Sequence, residues 1–314
     1  MYCLGIDIGG TNIAVGIVDD EMKIIAKASN KTPVPCTEEI FCDAVAATAN
    51  EALVNAGLNL SQIKQIGIGC PGTANKDLGV IEYANNLGFK DFEISKMMGE
   101  RLPNTPIILE NDANAAAYGE YKAGALTGAK NGVAVTLGTG VGGGIIVDGK
   151  VYTGFNFSAG ELGHTVMVVD GRPCTCGRLG CFEAYASASG LILTTKEYMI
   201  KDQYSKMWEI VGGDINKVNG RTSFDAMRAG DKSAKKVVDE FIKYLAIGLS
   251  NIINTFQPET LCIGGGICNE GETLLAPIRE ICNNETYIAS HRTTICKAAL
   301  GNDAGIIGAA LLGL

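Results

Sequence analysis

Residues 3–18 read CLGIDIGGTNIAVGIV, and residues 133–147 read VAVTLGTGVGGGIIV. Both share one design: an apolar β-branched run, a glycine turn, then a second such run, which predicts strand–turn–strand. In the first copy Asp7 stands just before Gly9-Gly10, with Thr11 and Asn12 just after. Glycines let the backbone turn tightly and leave its amides uncovered, so such a turn can wrap a phosphate. In the second copy Gly138, Gly140 and Gly143 match the G-x-G-x-x-G spacing around Thr139. A dinucleotide-binding fold needs a helix directly after those glycines. Ile145-Ile146-Val147 follow instead, which is strand chemistry, so the stretch reads as a second phosphate hairpin. Two copies of one device, about 130 residues apart, predict a duplicated two-domain architecture with a ligand between the copies.

Around these turns the remaining elements fall into place. A third strand is expected near Lys23–Ala28, and a helix over residues 37–56 with Thr37 as N-cap, Glu38 and Glu39 in the first turn and Gly57 as its stop. Gln65–Cys70 reads as a strand ending at the Pro71-Gly72 turn, and the polar stretch around Asn85-Asn86 as a loop. Ile107–Glu110 reads as a strand running through Asn111-Asp112 into a helix, so Asp112 lies where strand passes to helix, the place of an N-cap. Residues 187–254 read as largely helical, with an amphipathic helix over 232–256. Thr260–Ile263 is a strand opening into Gly264-Gly265-Gly266, a third glycine turn able to let backbone approach a flat base or ribose. The tail, GNDAGIIGAALLGL, is an apolar helix that must pack on something.

Residues 159–184, AGELGHTVMVVDGRPCTCGRLGCFEA, hold His164, Cys174, Cys176 and Cys181. One nitrogen and three sulfurs within eighteen residues are the donors of a closed tetrahedral Cys3His zinc site. Four protein ligands leave no open position, so the ion reads as structural, and the clamped loop presents Glu161 and Glu183 rigidly.

The chain has 314 residues, 46% hydrophobic and 19% charged, enough for two domains and a proper core. A net charge of -8 argues against a nucleic-acid surface. No window approaches the ~18 apolar residues of a membrane span, and the N-terminus has no basic region or cleavage site. Eleven cysteines then point to a reducing compartment, the cytoplasm, with the eight outside the loop packing as small apolar groups.

Four features stand together: DIGGT at 7–11, GTGVGGG at 138–144, GGG at 264–266, and the ELGH…CTCGRLGCFE loop. Together they resemble the ROK family (repressors, open reading frames, sugar kinases), most closely its bacterial zinc-containing, ATP-dependent glucokinases, over essentially the whole chain. The resemblance implies an α/β, two-lobed actin/hexokinase-like fold with RNase H-like lobes and an interlobe cleft for ATP and sugar. Residues 1–117 with 300–314 would be the small lobe, and 118–299 the large lobe with its zinc-binding loop 161–183. It implies that Asp7, Gly9, Gly10, Thr11 and Asn12 meet the phosphates and Mg2+. Gly138, Thr139 and Gly140 would form the second phosphate loop, and Gly264 and Gly265 would lie at the adenosine. Asn111, Asp112, Glu161, His164 and Glu183 would hold the sugar, with Gly72 and Asn86 as further contacts, and Asp112 would be the general base. The implied reaction is phosphorylation of a hexose, glucose to glucose 6-phosphate, by a homodimer. Kinases for N-acetylmannosamine, N-acetylglucosamine, allose and fructose share most of these residues, and a non-catalytic sugar-binding regulator is the alternative outside enzymes. The family's repressors carry a helix-turn-helix before the first phosphate turn; here that turn begins at residue 7, so a DNA-binding role is not expected.

Overall fold

The computed structural model describes residues 1–288 and 292–314. The chain opens with β1 (Tyr2–Ile8), β2 (Asn12–Val18), β3 (Ile24–Lys31), α1 (Glu38–Ala56) and β4 (Ile63–Cys70). Next come β5 (Thr73–Asn75), β6 (Val80–Ala84), β7 (Phe89–Phe92), α2 (Ile94–Arg101), β8 (Ile107–Asn111) and α3 (Asp112–Ala123). The middle holds β9 (Gly132–Leu137), β10 (Val141–Val147), β11 (Lys150–Val151), α4 (Glu183–Ala186), α5 (Ala188–Lys201), α6 (Lys206–Ile210) and α7 (Thr222–Arg228). The last elements are α8 (Lys232–Phe256), β12 (Thr260–Gly264), α9 (Glu272–Glu285), β13 (Thr294–Lys297) and α10 (Ala304–Leu311).

Contacts gather the chain into two compact units, Met1–Ala134 with Gly144–Gly160 and Ala298–Leu314, and Val135–Gly143 with Glu161–Lys297. Within the first, α3 packs on α10.

In the first unit the sheet order is β3-β2-β1-β4-β8. β1 is antiparallel to β2 and parallel to β4, which is parallel to β8. β1 and β4 are buried along nearly their whole length, as parallel strands covered on both faces must be. On one face α1 buries Phe41, Val45, Ala49 and Leu53 over β2 and β3. Thr37 caps α1 by accepting the Ile40 N–H, and Gly57, at φ 66°, ends it in the left-handed conformation that glycine adopts without a Cβ penalty. Phe41 meets Phe89 and Phe92 edge-on, with ring centroids 5.1 and 5.8 Å apart, and so joins the small antiparallel sheet β5-β6-β7 to the same core. The Asn85-Asn86 loop is the turn of that sheet's second hairpin.

On the other face lies α10, with every residue buried. Its backbone touches backbone: a Cβ on Gly67 of β4 would stand 1.7 Å from the Ala309 carbonyl oxygen, and one on Gly308 would stand 1.7 Å from that of Ala115 in α3. The tail composed of small residues is therefore the partner of a glycine-bearing strand and helix. Gln65 Nε2 donates to the Ala310 and Leu312 carbonyls, and Tyr118 and Lys122 donate to that of Leu314, which fixes the chain end.

The second sheet has the order β11-β10-β9-β12-β13. Counted within each sheet, both orders are third-second-first-fourth-fifth, the duplication that the two glycine hairpins announced. α8 runs 25 residues and buries Val237, Val238, Phe241, Leu245 and Leu249 on one side, packed by α5, α7 and α9. Among the described residues no helix is long and apolar enough to cross a membrane.

Because the obstacle at Gly67 is backbone, no rotamer change relieves it. Gly67→Ala is expected to cost about 3 kcal/mol, read as a shifted urea midpoint at unchanged slope. Gly220→Ala, where nothing stands within 4 Å of the new Cβ, should stay within ~0.5 kcal/mol of the parent.

Candidate active site and metal loop

The first unit carries one group of the expected residues. Asp7 is the penultimate residue of β1, and Gly9 closes the following turn by donating to the Asn12 carbonyl at 2.8 Å. Thr32 holds the same turn through its hydroxyl on the Gly9 carbonyl, 2.7 Å away. Thr11 and Asn12 are exposed, and a Cβ on Gly10 would lie 3.8 Å from Asn86 Cβ, so Asn86 borders the turn. Asp7 itself is largely buried, with its carboxylate against Gly305 of α10; a Cβ at that glycine would clash with it at 2.4 Å. Burial, and then the nearby charge of Asp112, push the Asp7 pKa up to about 7.

Asp112 comes from the far edge of the same sheet. β4 pairs Gly69 with Asp7 of β1 on one side and with Glu110 of β8 on the other. A Cβ on Gly69 would stand 3.5 Å from Asp112 Cα. The N-cap of α3 is Asn111, not Asp112: its Oδ1 accepts the Ala113 and Asn114 N–H groups at 2.9 and 3.1 Å. Asn and Asp cap equally well, so the one-residue choice is set by where β8 releases the chain. Asp112 is the first helical residue, its Oδ1 accepting the Ala113 N–H at 2.9 Å. The Asn111 amide also donates to the Gly72 carbonyl at 3.1 Å, which brings Gly72 to the same corner. Gly72 has φ 99°, and a Cβ there would stand 2.1 Å from the Tyr83 carbonyl oxygen, so packing on β6 alone demands glycine.

Sequence reading did not single out the support behind this corner. Glu110, buried, accepts the Asn111 backbone N–H and the Asn114 amide, both at 3.0 Å. Burial raises its pKa. A glutamate ending an apolar strand was the only signal in the sequence, and it gave no direction to the side chain.

The second unit carries the other group. His164 ends a short 3-10 turn, with its Nδ1 3.6 Å from Cys174 Sγ; Cys176 and Cys181 Sγ are 3.7 Å apart. All four donor atoms lie within 4.8 Å of one another. A tetrahedral zinc with Zn–S ~2.3 Å and Zn–N ~2.0 Å needs S···S near ~3.8 Å and S···N near ~3.5 Å. The donors therefore fit that ion, and the sulfurs are too far apart for a disulfide. Bridges pair Val166 with Cys181 and Pro173 with Leu179, folding the loop into a narrow ribbon, and Gly177 and Gly180 take positive φ at its turns. Burial pushes the Cys181 thiol up to about 12, whereas the Arg178 N–H lowers Cys176. Arg172 secures the base of the loop by pairing with Glu197 at 2.8 Å and lying over the Tyr185 ring.

With Nδ1 turned to the cysteines, His164 Nε2 faces outward, 3.9 Å from Glu161 Oε2. Glu183 Oε2 accepts the Val141 N–H at 3.0 Å, and Oε1 accepts the Thr175 hydroxyl at 3.1 Å. Gly138 and Thr139 are exposed at the tip of the second glycine turn. In the third turn Gly265 has φ 102°, and a Cβ there would stand 2.0 Å from the Leu137 carbonyl oxygen. Contact with β9 thus requires that glycine before any ligand does, and a 3-10 turn, Gly266–Glu270, precedes the α-helix expected directly after it.

The raised Asp7 pKa has a stability consequence. The unfolded carboxyl ionises near 3.8 and the folded one near 7, so the folded state holds the extra proton between those values and loses stability as pH rises through them. That gap sets a ceiling of ~4 kcal/mol. In ligand-free protein Asp7→Asn should therefore be more stable than the parent at pH 8, by ~2–4 kcal/mol, and the difference should vanish towards pH ~4. Urea unfolding at a series of pH values measures it.

A family model described as the ROK family matches residues 3–314. A glucokinase of Halalkalibacterium halodurans is 36% identical over 318 residues, covering 98% of this chain and 93% of that protein. A crystal structure of a ROK family glucokinase from Streptomyces griseus, in complex with glucose and AMPPNP, superposes with a TM-score of 0.84 at 33% identity, over 99% of this chain and 98% of that one. A ROK hexokinase from Thermus thermophilus gives 0.82 at 32% identity, over 99% and 97%. The actin/hexokinase-like fold that the resemblance implies is the fold of these sugar kinases, and the chain belongs to the ROK family.

Proposed function

We propose that the chain transfers the terminal phosphoryl group of ATP to glucose, giving glucose 6-phosphate, with Asp112 as general base. The observation that carries this is the carboxylate pair: Asp112 presented by a capped strand-to-helix junction beside a buried Asp7 that adjoins a glycine turn. Likeness to glucokinases over nearly the whole chain, and to one solved with glucose and AMPPNP, supports the choice of substrates.

In this reading the functional lobes are residues 1–117 with 300–314, and 118–299. Gly9, Gly10, Thr11 and Asn12, and Gly138, Thr139 and Gly140, offer backbone and hydroxyl groups to the phosphates, while Gly264 and Gly265 adjoin the adenosine. Asp7 holds the Mg2+ of the nucleotide, which supplies charge neutralisation at the transferring phosphoryl; a buried carboxylate beside a second one suits a cation. Glu161, His164 and Glu183 accept hydroxyls of the sugar together with Asn111 and Asp112, and Gly72 and Asn86 border it. One structural zinc on His164, Cys174, Cys176 and Cys181 keeps His164 Nε2 directed at the sugar. The attacking hydroxyl becomes acidic as its bond to phosphorus forms, so a carboxylate can take its proton. A cytoplasmic homodimer, implied by the resemblance, belongs to the same proposal.

Because Asn111 is the cap, Asp112→Asn leaves the helix start intact. The variant should fold as the parent does and lose ~10²–10⁴ in kcat, with a smaller change in glucose affinity. A folded variant with near-parental turnover removes Asp112 from the mechanism. The assay couples ADP release to a reporter and reads glucose affinity separately by calorimetry.

A further inference from the structure

The second glycine turn is held from below by the segment that follows the metal loop. Glu183, two residues after the ligand Cys181, accepts the Val141 N–H at 3.0 Å. The Ala188 N–H, at the start of α5, donates to the Gly138 carbonyl at 2.9 Å. From the other end of the loop, Gly163, beside the ligand His164, lies so close that a Cβ there would stand 2.2 Å from the Val141 carbonyl oxygen. Gly140 is equally confined: its Cβ would stand 2.2 Å from Glu183 Oε2. The other Glu183 oxygen turns back into the metal loop, where it accepts the Thr175 hydroxyl at 3.1 Å, between the ligands Cys174 and Cys176. One carboxylate thus spans from the metal loop to the turn.

We propose that Glu183 is a positioning residue for the nucleotide: through Val141 it fixes the Gly138–Val141 turn, and through Thr175 it makes the order of that turn depend on the metal loop. This rests on the reading that the turn receives the donor's phosphates. Its consequence is that metal and nucleotide are thermodynamically coupled, although no metal ligand belongs to the turn; each strengthens the other by the same factor. A hydrogen bond from a backbone amide to a carboxylate is among the stronger kinds, and loss of its acceptor leaves Val141 free to reorient.

The experiment is calorimetric titration of a non-hydrolysable ATP analogue into the zinc-loaded protein without sugar, so that any contact of Glu183 with a hexose does not enter. Glu183→Ala should bind about tenfold more weakly. Thr175→Val, which removes the shorter of the two inner contacts of Oε1, leaves the one with Cys174 Sγ at 3.7 Å and keeps the side chain's volume, should bind roughly two- to threefold more weakly. Hydrogen exchange at the Val141 amide should be faster in both. Chelating the metal should weaken nucleotide binding in the parent and weaken it less in Glu183→Ala, the non-additivity of two changes on one path. A nucleotide Kd within twofold of the parent in folded Glu183→Ala overturns the proposal, as do fully additive losses. Should Glu183→Ala not fold, an unchanged Kd and Val141 exchange rate in Thr175→Val overturn it instead. The parent's phosphorylation of glucose is measured separately, so failure of this coupling leaves the proposed reaction standing, and the reverse.

Discussion

Two like charges held near each other at the ends of β1 and β8 are the constraint on which the site depends. Asp7 is largely buried, and burial together with Asp112 raises its pKa to about 7. Such an arrangement costs stability in the free protein at neutral pH, and it persists because the surrounding backbone leaves no alternative. β4 fixes both strands in register, the Gly305 backbone closes over Asp7, and Asn111 ties the start of α3 to Gly72. In the proposed reaction a cation bound by the carboxylate pair would offset this cost.

The terminal helix is the second condition. It meets β1, β4 and α3 backbone to backbone, which glycine at Gly5, Gly67 and Gly308 allows. The terminal helix therefore lies against the end of β1 beside the first glycine turn, and Asp7 packs on it at Gly305.

Much of this was legible in the sequence because it is local. The strand–turn–strand hairpins, the caps Thr37 and Gly57, and the donor set His164, Cys174, Cys176 and Cys181 are written in residue type and spacing. What was not legible is tertiary. The sheet β5-β6-β7 escaped because strands of three to five residues are too short to show alternation, and the packing that holds them, the Phe41 cluster included, is tertiary. The choice of Asn111 over Asp112 as cap depends on the strand end, which propensity does not resolve. Gly265 read as room for a ligand, yet Leu137 requires it, and nothing in the local sequence points from Glu183 to Val141.

Which sugar receives phosphate is the most direct test of the proposed reaction. Equal concentrations of glucose, N-acetylmannosamine, N-acetylglucosamine, allose and fructose, each with ATP and Mg2+, are to be compared by kcat/KM, with phosphorus NMR identifying the esterified oxygen. Glucose is expected to give the highest kcat/KM, with the phosphate on its 6-hydroxyl. A higher value for an N-acetylated sugar, or ATP consumption without any sugar ester, would contradict it.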